Sequence, residues 1–224
     1  MLNEADALTN LRSAYLEALR SGSGRKADQV VTQSLDQRVS ANRIYLDIFQ
    51  PVAYEIGELW QRNRFTVGQE HLATAIIERQ MGLLHPYFQP ERQRRRTLVL
   101  GSIAGELHRV GVRMVADFFE QDGWQVYYLG ATTPVSDFVG MAREVGADLI
   151  GISAQMLFHV PQITDVALEL GRRGMAGLPV MVGGRPFIQQ PDLYRALNVH
   201  FSAANAAAAV TQANQWLDQG GTPA

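Results

Sequence analysis

At 224 residues and 46% hydrophobic content, the chain is long and apolar enough to bury a full core, as one large domain or two small ones. Its formal net charge of -2 leaves no basic excess for a built-in nucleic-acid surface, and the absence of cysteine excludes disulfides, thiolate zinc sites and cysteine nucleophiles. The N-terminus carries Glu4 and Asp6 without a basic-then-apolar signal pattern, and no apolar run approaches the roughly 20 residues that cross a bilayer, so a soluble, cytoplasmic protein without a membrane partner is expected.

Residues 1 to 90 read as helices only. Leu8, Leu11, Tyr15 and Leu19 recur at helical spacing, as do Val30, Val31 and Leu35 beyond the Ser-Gly-Ser-Gly turn at 21 to 24, so the first two elements form a hairpin. A third helix is predicted from Asn42 through Ile56 and Leu59 to Trp60, with Pro51 as an irregularity. A fourth starts after Asn63 and carries Val67, His71, Leu72, Ala75, Ile76 and Met81 until the Pro86 region stops it. Four antiparallel helices make a small bundle. The basic run Arg92 to Arg96, flanked by Glu91, reads as a solvated linker.

From Thr97 the period changes, and residues 91 to 224 read as a second, α/β domain. Apolar strands are predicted at 97 to 101, 125 to 129, 148 to 152, 178 to 182 and 198 to 201. Helices are predicted near 109 to 121, 135 to 145, 160 to 173, 189 to 196 and 203 to 217. Five strands joined by helices describe an open parallel sheet covered on both faces, with a ligand crevice at the strand C-termini.

Four polar or glycine-rich features fall on that edge: Glu106 and His108 after the first strand, Gly130-Ala131-Thr132-Thr133 after the second, Ser153-Ala154-Gln155 after the third and Gly183-Gly184-Arg185 after the fourth. An imidazole at a strand mouth, with a carboxylate two residues before it and Gly111 three after, suits chemistry better than core filling. Taken singly, Gly183-Gly184 also reads as a turn and Ser153 as a helix cap. Neither G-x-G-x-x-G nor G-x-x-x-x-G-K-[ST] follows the first strand, which argues against NAD or ATP, and no nucleophile elbow supports hydrolysis.

At these residues the chain resembles cobalamin-binding proteins whose Rossmann-like domain carries D-x-H-x-x-G, a serine after strand three and Gly-Gly after strand four. The matching signature is Glu106-x-His108-x-x-Gly111, with Ser153 and Gly183-Gly184 in the corresponding places. The resemblance implies a four-helix bundle followed by a Rossmann-like (flavodoxin-like) five-stranded parallel domain, with the corrin held between the two. It further implies that His108 ligates cobalt from the lower face, that Glu106 orients its other ring nitrogen, and that Ser153, Gly183 and Gly184 line the cavity for the nucleotide tail. Arg109 and Gly111 complete the expected cofactor-binding set of the sheet domain.

In the helical half, Trp60 followed ten residues later by Glu70-His71 is similar to the W-x9-E-H pattern of the light-sensing, photoreceptor-type regulators. The likeness implies that Trp60 caps the upper face of adenosylcobalamin or another B12 form, with Glu70 and His71 over the upper ligand. The function expected from it is a non-enzymatic light or ligand sensor that signals through upper-face coordination, as a homodimer or larger or through an effector protein. Some such relatives also hold a bilin, and the shortage of upper-face histidines leaves space for that second chromophore. Two departures are visible: Gln61 stands where the family places a second cobalt-ligating histidine, for which His71 or His159 is a geometric substitute, and no DNA-binding module precedes residue 5, so direct nucleic-acid binding is not expected. The alternatives are a corrinoid carrier that presents methyl-cobalamin to methyltransferases, and a heme or other tetrapyrrole sensor using His108.

Overall fold

The computed structural model describes residues 4–90 and 93–220, and the chain divides into two compact units, 1–88 and 89–224. In the helical unit, α1 (Glu4–Arg20) turns at Gly22, at φ +66°, into α2 (Gly24–Asp36), whose N-terminus is capped by the Ser23 side chain accepting from the Lys26 N–H. The third helix is one continuous rod in three styles: α3 (Ala41–Arg43), π-helical turns over Ile44–Phe49, and α4 (Gln50–Gln61). The irregularity expected at Pro51 therefore lies in the turns just before it. Proline lacks the N–H for the bond back to residue 47 and its ring presses on that carbonyl, and the wider π turn accommodates both. A capping box of Thr66 and Gln69 opens α5 (Val67–Leu84).

The bundle core is aromatic, with Tyr15 stacked on Phe49 at 4.9 Å and Phe49 on Tyr45 at 5.6 Å between ring centroids. One polar chain crosses it. The fully buried Tyr15 hydroxyl donates to Gln80 Oε1, Gln80 Nε2 donates to Asp28 at 3.3 Å, and Arg79 pairs with Asp28 at 2.6 Å. Burial, reinforced by the Asp28 charge, pushes the Tyr15 hydroxyl well above its ordinary range, so it stays a donor.

The second unit alternates β1 (Thr97–Ile103), α6 (Val110–Gln121), β2 (Gln125–Thr133), α7 (Val135–Val145), β3 (Leu149–Ser153), α8 (Gln162–Arg172), β4 (Val180–Gly183), α9 (Arg185–Gln189), β5 (Phe201–Ala203) and α10 (Ala206–Asp218). The sheet is parallel throughout, in the order β2-β1-β3-β4-β5, so chain direction across the sheet reverses at β1 and β3. Side chains alternate between two cores: Val99, Ile103, Ile150, Ile152, Val180 and Val182 on one face, Leu98, Leu100, Leu149, Met181 and Phe201 on the other.

Four expectations change here. The fifth strand, expected at 198 to 201, shares only Phe201 with β5. Gly130–Thr133 do not follow the second strand but complete β2, where Gly130 at φ +77° and Thr132 at φ +56° shift its register against β1. The helix expected at 189 to 196 is split into α9 and a 3-10 turn over Leu193–Leu197, because Gln190, preceding Pro191, is extended. Within the basic run, Arg94 is paired with Asp122 at 2.6 Å, and Arg96 is paired with Asp218 at 2.7 Å and lies over the Trp124 ring, so these two are anchored to the sheet unit rather than solvated. Glu91 and Arg92 lie outside the described residues. No helix among the described residues is long and apolar enough to cross a membrane.

Candidate cofactor site

The C-terminal edge of the sheet is built from small residues in register. Ser102 of β1 lies beside Ser153 of β3, Ser153 beside Gly183 of β4, and Gly183 beside Ala203 of β5. Ser102, fully buried, donates from Oγ to the carbonyl of His108 at 2.8 Å and so ties the loop after β1 to its strand. That loop carries Glu106 and His108.

Glu106 is buried, its side chain only 1% exposed, and its carboxylate is saturated with donors. Oε1 accepts from the His108 backbone N–H at 3.2 Å and from His108 Nδ1. Oε2 accepts from the N–H groups of Gln155 at 2.8 Å and Met156 at 3.0 Å, and from His159 Nδ1 at 3.0 Å. Burial pushes the Glu106 carboxyl upward, but the bonds from His108, His159 and the backbone of Met156 and His108 outweigh it and hold the group well below the usual carboxylate range. An ionised carboxylate only accepts, so both imidazoles carry their proton on Nδ1. For His108, whose side chain is 45% exposed, that tautomer puts the lone pair on Nε2, the form a metal takes.

Gly184 has a packing role beyond a turn, whereas a Cβ at Gly183 would make ordinary contact 3.5 Å from the Ala203 carbonyl oxygen. Gly184 sits at φ +111°, and a Cβ there would stand 2.0 Å from the Ala154 carbonyl oxygen. The loops after β3 and β4 are further tied by Ala154 N–H to the Gly183 carbonyl at 3.1 Å and by Arg185 N–H to Gln155 Oε1 at 3.2 Å. Arg109 is the N-cap residue of α6, and Gly111 in its first turn has open space where a Cβ would stand.

In the helical unit, Trp60 is half-buried in the last turn of α4, and Glu70 and His71 open α5. The Glu70 carboxylate accepts from Thr74 Oγ1 at 2.9 Å and lies 3.7 Å from Nε2 of the exposed His71. His159, the other substitute, bonds the same Glu106 carboxylate as His108 and its side chain is only 12% exposed, so it sits beside His108 rather than across a ring from it. This role, with those of Ser102, Gln155 and the Met156 N–H, escaped motif reading. The visible signal was a histidine six residues after Ser153, while backbone donors leave no trace in residue identity.

Residues 96–211 match the B12 binding domain family, and residues 11–85 match a second B12 binding domain family. The chain is similar to dimethylamine corrinoid protein 3 of Methanosarcina mazei, 33% identical over 127 residues, which cover 54% of this chain and 71% of that protein. It is also similar to dimethylamine corrinoid protein 1 of Methanosarcina acetivorans, 30% identical over 177 residues, covering 73% and 77% of the two chains. In fold it matches the structure of the Methanosarcina barkeri monomethylamine corrinoid protein, with a TM-score of 0.84 over 92% of this chain and 98% of that one, at 18% identity.

The residues present fit a corrin. His108 offers a nitrogen ligand already oriented by a carboxylate, Leu107, Leu157 and Phe158 expose apolar side chains on the same two loops, and the half-buried Ser153, Gly183 and Ala203 end their strands in small residues that crowd a slender tail least. The likeness to light-sensing regulators is corrected by these relatives. Glu106-x-His108-x-x-Gly111 and Gly183-Gly184 resemble a signature shared by cobalamin-binding proteins of either kind, and Trp60 with Glu70-His71 specifies no photochemistry. The light or ligand sensor, the photoreceptor and signalling roles, and with them the ground for a bilin, fall away, and the heme alternative yields to cobalamin. The relatives are named as corrinoid proteins, in keeping with the expected non-enzymatic role. The chain binds cobalamin and belongs to the B12-binding protein family, as a relative of the methylamine corrinoid proteins.

Proposed function

We propose that the protein is a corrinoid carrier for methyl transfer, with His108 as the lower cobalt ligand, Glu106 as its orienting carboxylate and Ser153, Gly183 and Gly184 along the nucleotide tail. Arg109 and Gly111 border the lower ligand, and Trp60, Glu70 and His71 belong to the helical cap. The observation that carries the reading is the exposed His108 ring held by a buried, fully bonded Glu106 at the sheet's C-terminal edge. The dimethylamine corrinoid relatives support a methyl group on nitrogen as the cargo's source.

When bound, cobalamin supplies a cobalt that takes up and releases a methyl group. The chain's own part is to present one imidazole nitrogen from below, keep the proton of that ring on Nδ1, and shield the ligand with the apolar side chains of Leu107, Leu157 and Phe158. The partner is a methyltransferase. A homodimer or larger assembly, a cytoplasmic location and the absence of direct nucleic-acid contact are parts of the same reading.

Protein charged with 13C-methylcobalamin should deliver its methyl group to a thiol, in the presence of a corrinoid-dependent methyltransferase, faster than free methylcobalamin at equal concentration. Equal rates overturn the carrier. His108→Ala should weaken cobalamin retention and remove histidine ligation from the spectrum, and light scattering across the micromolar range tests the assembly.

A further inference from the structure

Glu106 serves two imidazoles, one on each oxygen, and only His108 of the two is open to solvent. His159 is 12% exposed, at the end of the 3-10 turn Leu157–His159, and reaches Oε2 at 3.0 Å. The same oxygen takes the N–H groups of Gln155 and Met156, so the loop after β3 wraps the carboxylate with donors from residues 155, 156 and 159. Two features show that the chain accommodates this ring closely. A Cβ on Gly105, at φ +79°, would stand 3.2 Å from His159 Nε2, and the Phe158 ring meets the imidazole edge-to-face at 4.2 Å.

A glutamate side chain has three torsions, and its carboxylate has to be held at its far oxygen for the near one to point at His108. Among the described residues, His159 is the side chain that bonds that far oxygen. It also closes the turn that carries Leu157 and Phe158, the exposed apolar pair next to the site.

Resting on the carrier reading's lower ligand, we infer that His159 is a positioning residue: through Glu106 Oε2 it sets the aim of Glu106 Oε1 on His108, and through its own loop it sets the apolar rim beside the cobalt-binding imidazole. A ring nitrogen donor at this position, rather than the ring's bulk, is what the site requires. Asparagine reproduces a donor at the place of Nδ1, whereas phenylalanine keeps the ring and loses the donor.

The experiment is electron paramagnetic resonance of protein labelled with 15N-histidine and loaded with cob(II)alamin, where a ligating histidine splits the cobalt lines into doublets and the cofactor's own 14N base would give triplets. Wild type should show the doublets and His108→Ala should lose them. His159→Phe should lower the ratio of histidine-ligated to other cobalt about tenfold, and His159→Asn should restore most of it. Circular dichroism checks folding, and His159→Ala replaces the phenylalanine variant if that ring is not accommodated. A donor-less variant with the wild-type ratio or a higher one overturns the role of His159 alone, as does an asparagine variant no better than it. Wild type without the 15N doublets overturns the His108 assignment and this inference together.

Discussion

At the scale of single residues, the site is governed by one buried charge. Five donors converge on the Glu106 carboxylate, and a neutral amide in its place offers one acceptor oxygen and turns an NH2 group toward the remaining N–H donors. Glu106→Gln is therefore expected to lower cobalamin affinity by about 10–100-fold, read by titration of the apo-protein with hydroxocobalamin. Gly184 is governed by sterics. Its φ of +111° with ψ of 173° is open only to glycine, and any Cβ overlaps the Ala154 carbonyl. Gly184→Ala should cost about 3 kcal/mol or more in urea unfolding, because backbone rather than a flexible side chain must give way. A loss under about 1 kcal/mol would mean that the loop relaxes freely.

At the scale of elements, what distinguishes the two units is how each handles polarity inside its core. The helical unit buries the Tyr15 hydroxyl against Gln80, a bond spanning α1 and α5, and continues it to Asp28 of α2. Tyr15→Phe leaves Gln80 Oε1 without its donor, and the expected destabilisation is about 1–3 kcal/mol, measured by chemical denaturation of the apo-protein. The sheet unit sets small and polar residues at the strand ends, where Ser102 and Ser153 sit in register with Gly183 and Ala203, and buries Asp117 of α6 against Arg113 at 2.8 Å. The first four strands were readable because each is a short apolar run bounded by turns, whereas the fifth, expected at 198 to 201, shares only Phe201 with β5. The π turns before Pro51 and the split before Pro191 were less readable, since proline marks a break without saying on which side the backbone yields.

At the scale of the whole molecule, stability should depend on acid in two separate windows. His200 Nδ1 accepts the Val180 N–H at 3.0 Å, and burial lowers its pKa below the ordinary 6.5. The unfolded chain thus takes this proton first, and stability present above about pH 6.5 is lost as pH falls through the folded-state value. Glu106, also lowered, acts further down: stability present above about pH 4.5 is lost as pH falls below it. His200→Asn keeps an acceptor without a titration and should flatten the upper window only, in thermal melts of apo-protein across pH 4 to 8. An unchanged upper window would place its source elsewhere.

Residue order alone was enough for the two-part architecture, the parallel sheet and the cobalamin cofactor, because strand and helix periods and a histidine placed two residues from a carboxylate are local properties. The function it suggested went astray at Trp60 and Glu70-His71, where a bulky side chain and a charged pair on helices carry no mark of light or of methyl transfer. Tertiary structure decided the rest. That Glu106 answers to His159, fifty-three residues on, as well as to His108, that Ser102 holds the loop from below, and that Gly184 is pressed against Ala154 all depend on β1, β3 and β4 lying side by side. Contacts between residues far apart in the chain exist only once the sheet has set its strand order, and no local pattern of side chains records them.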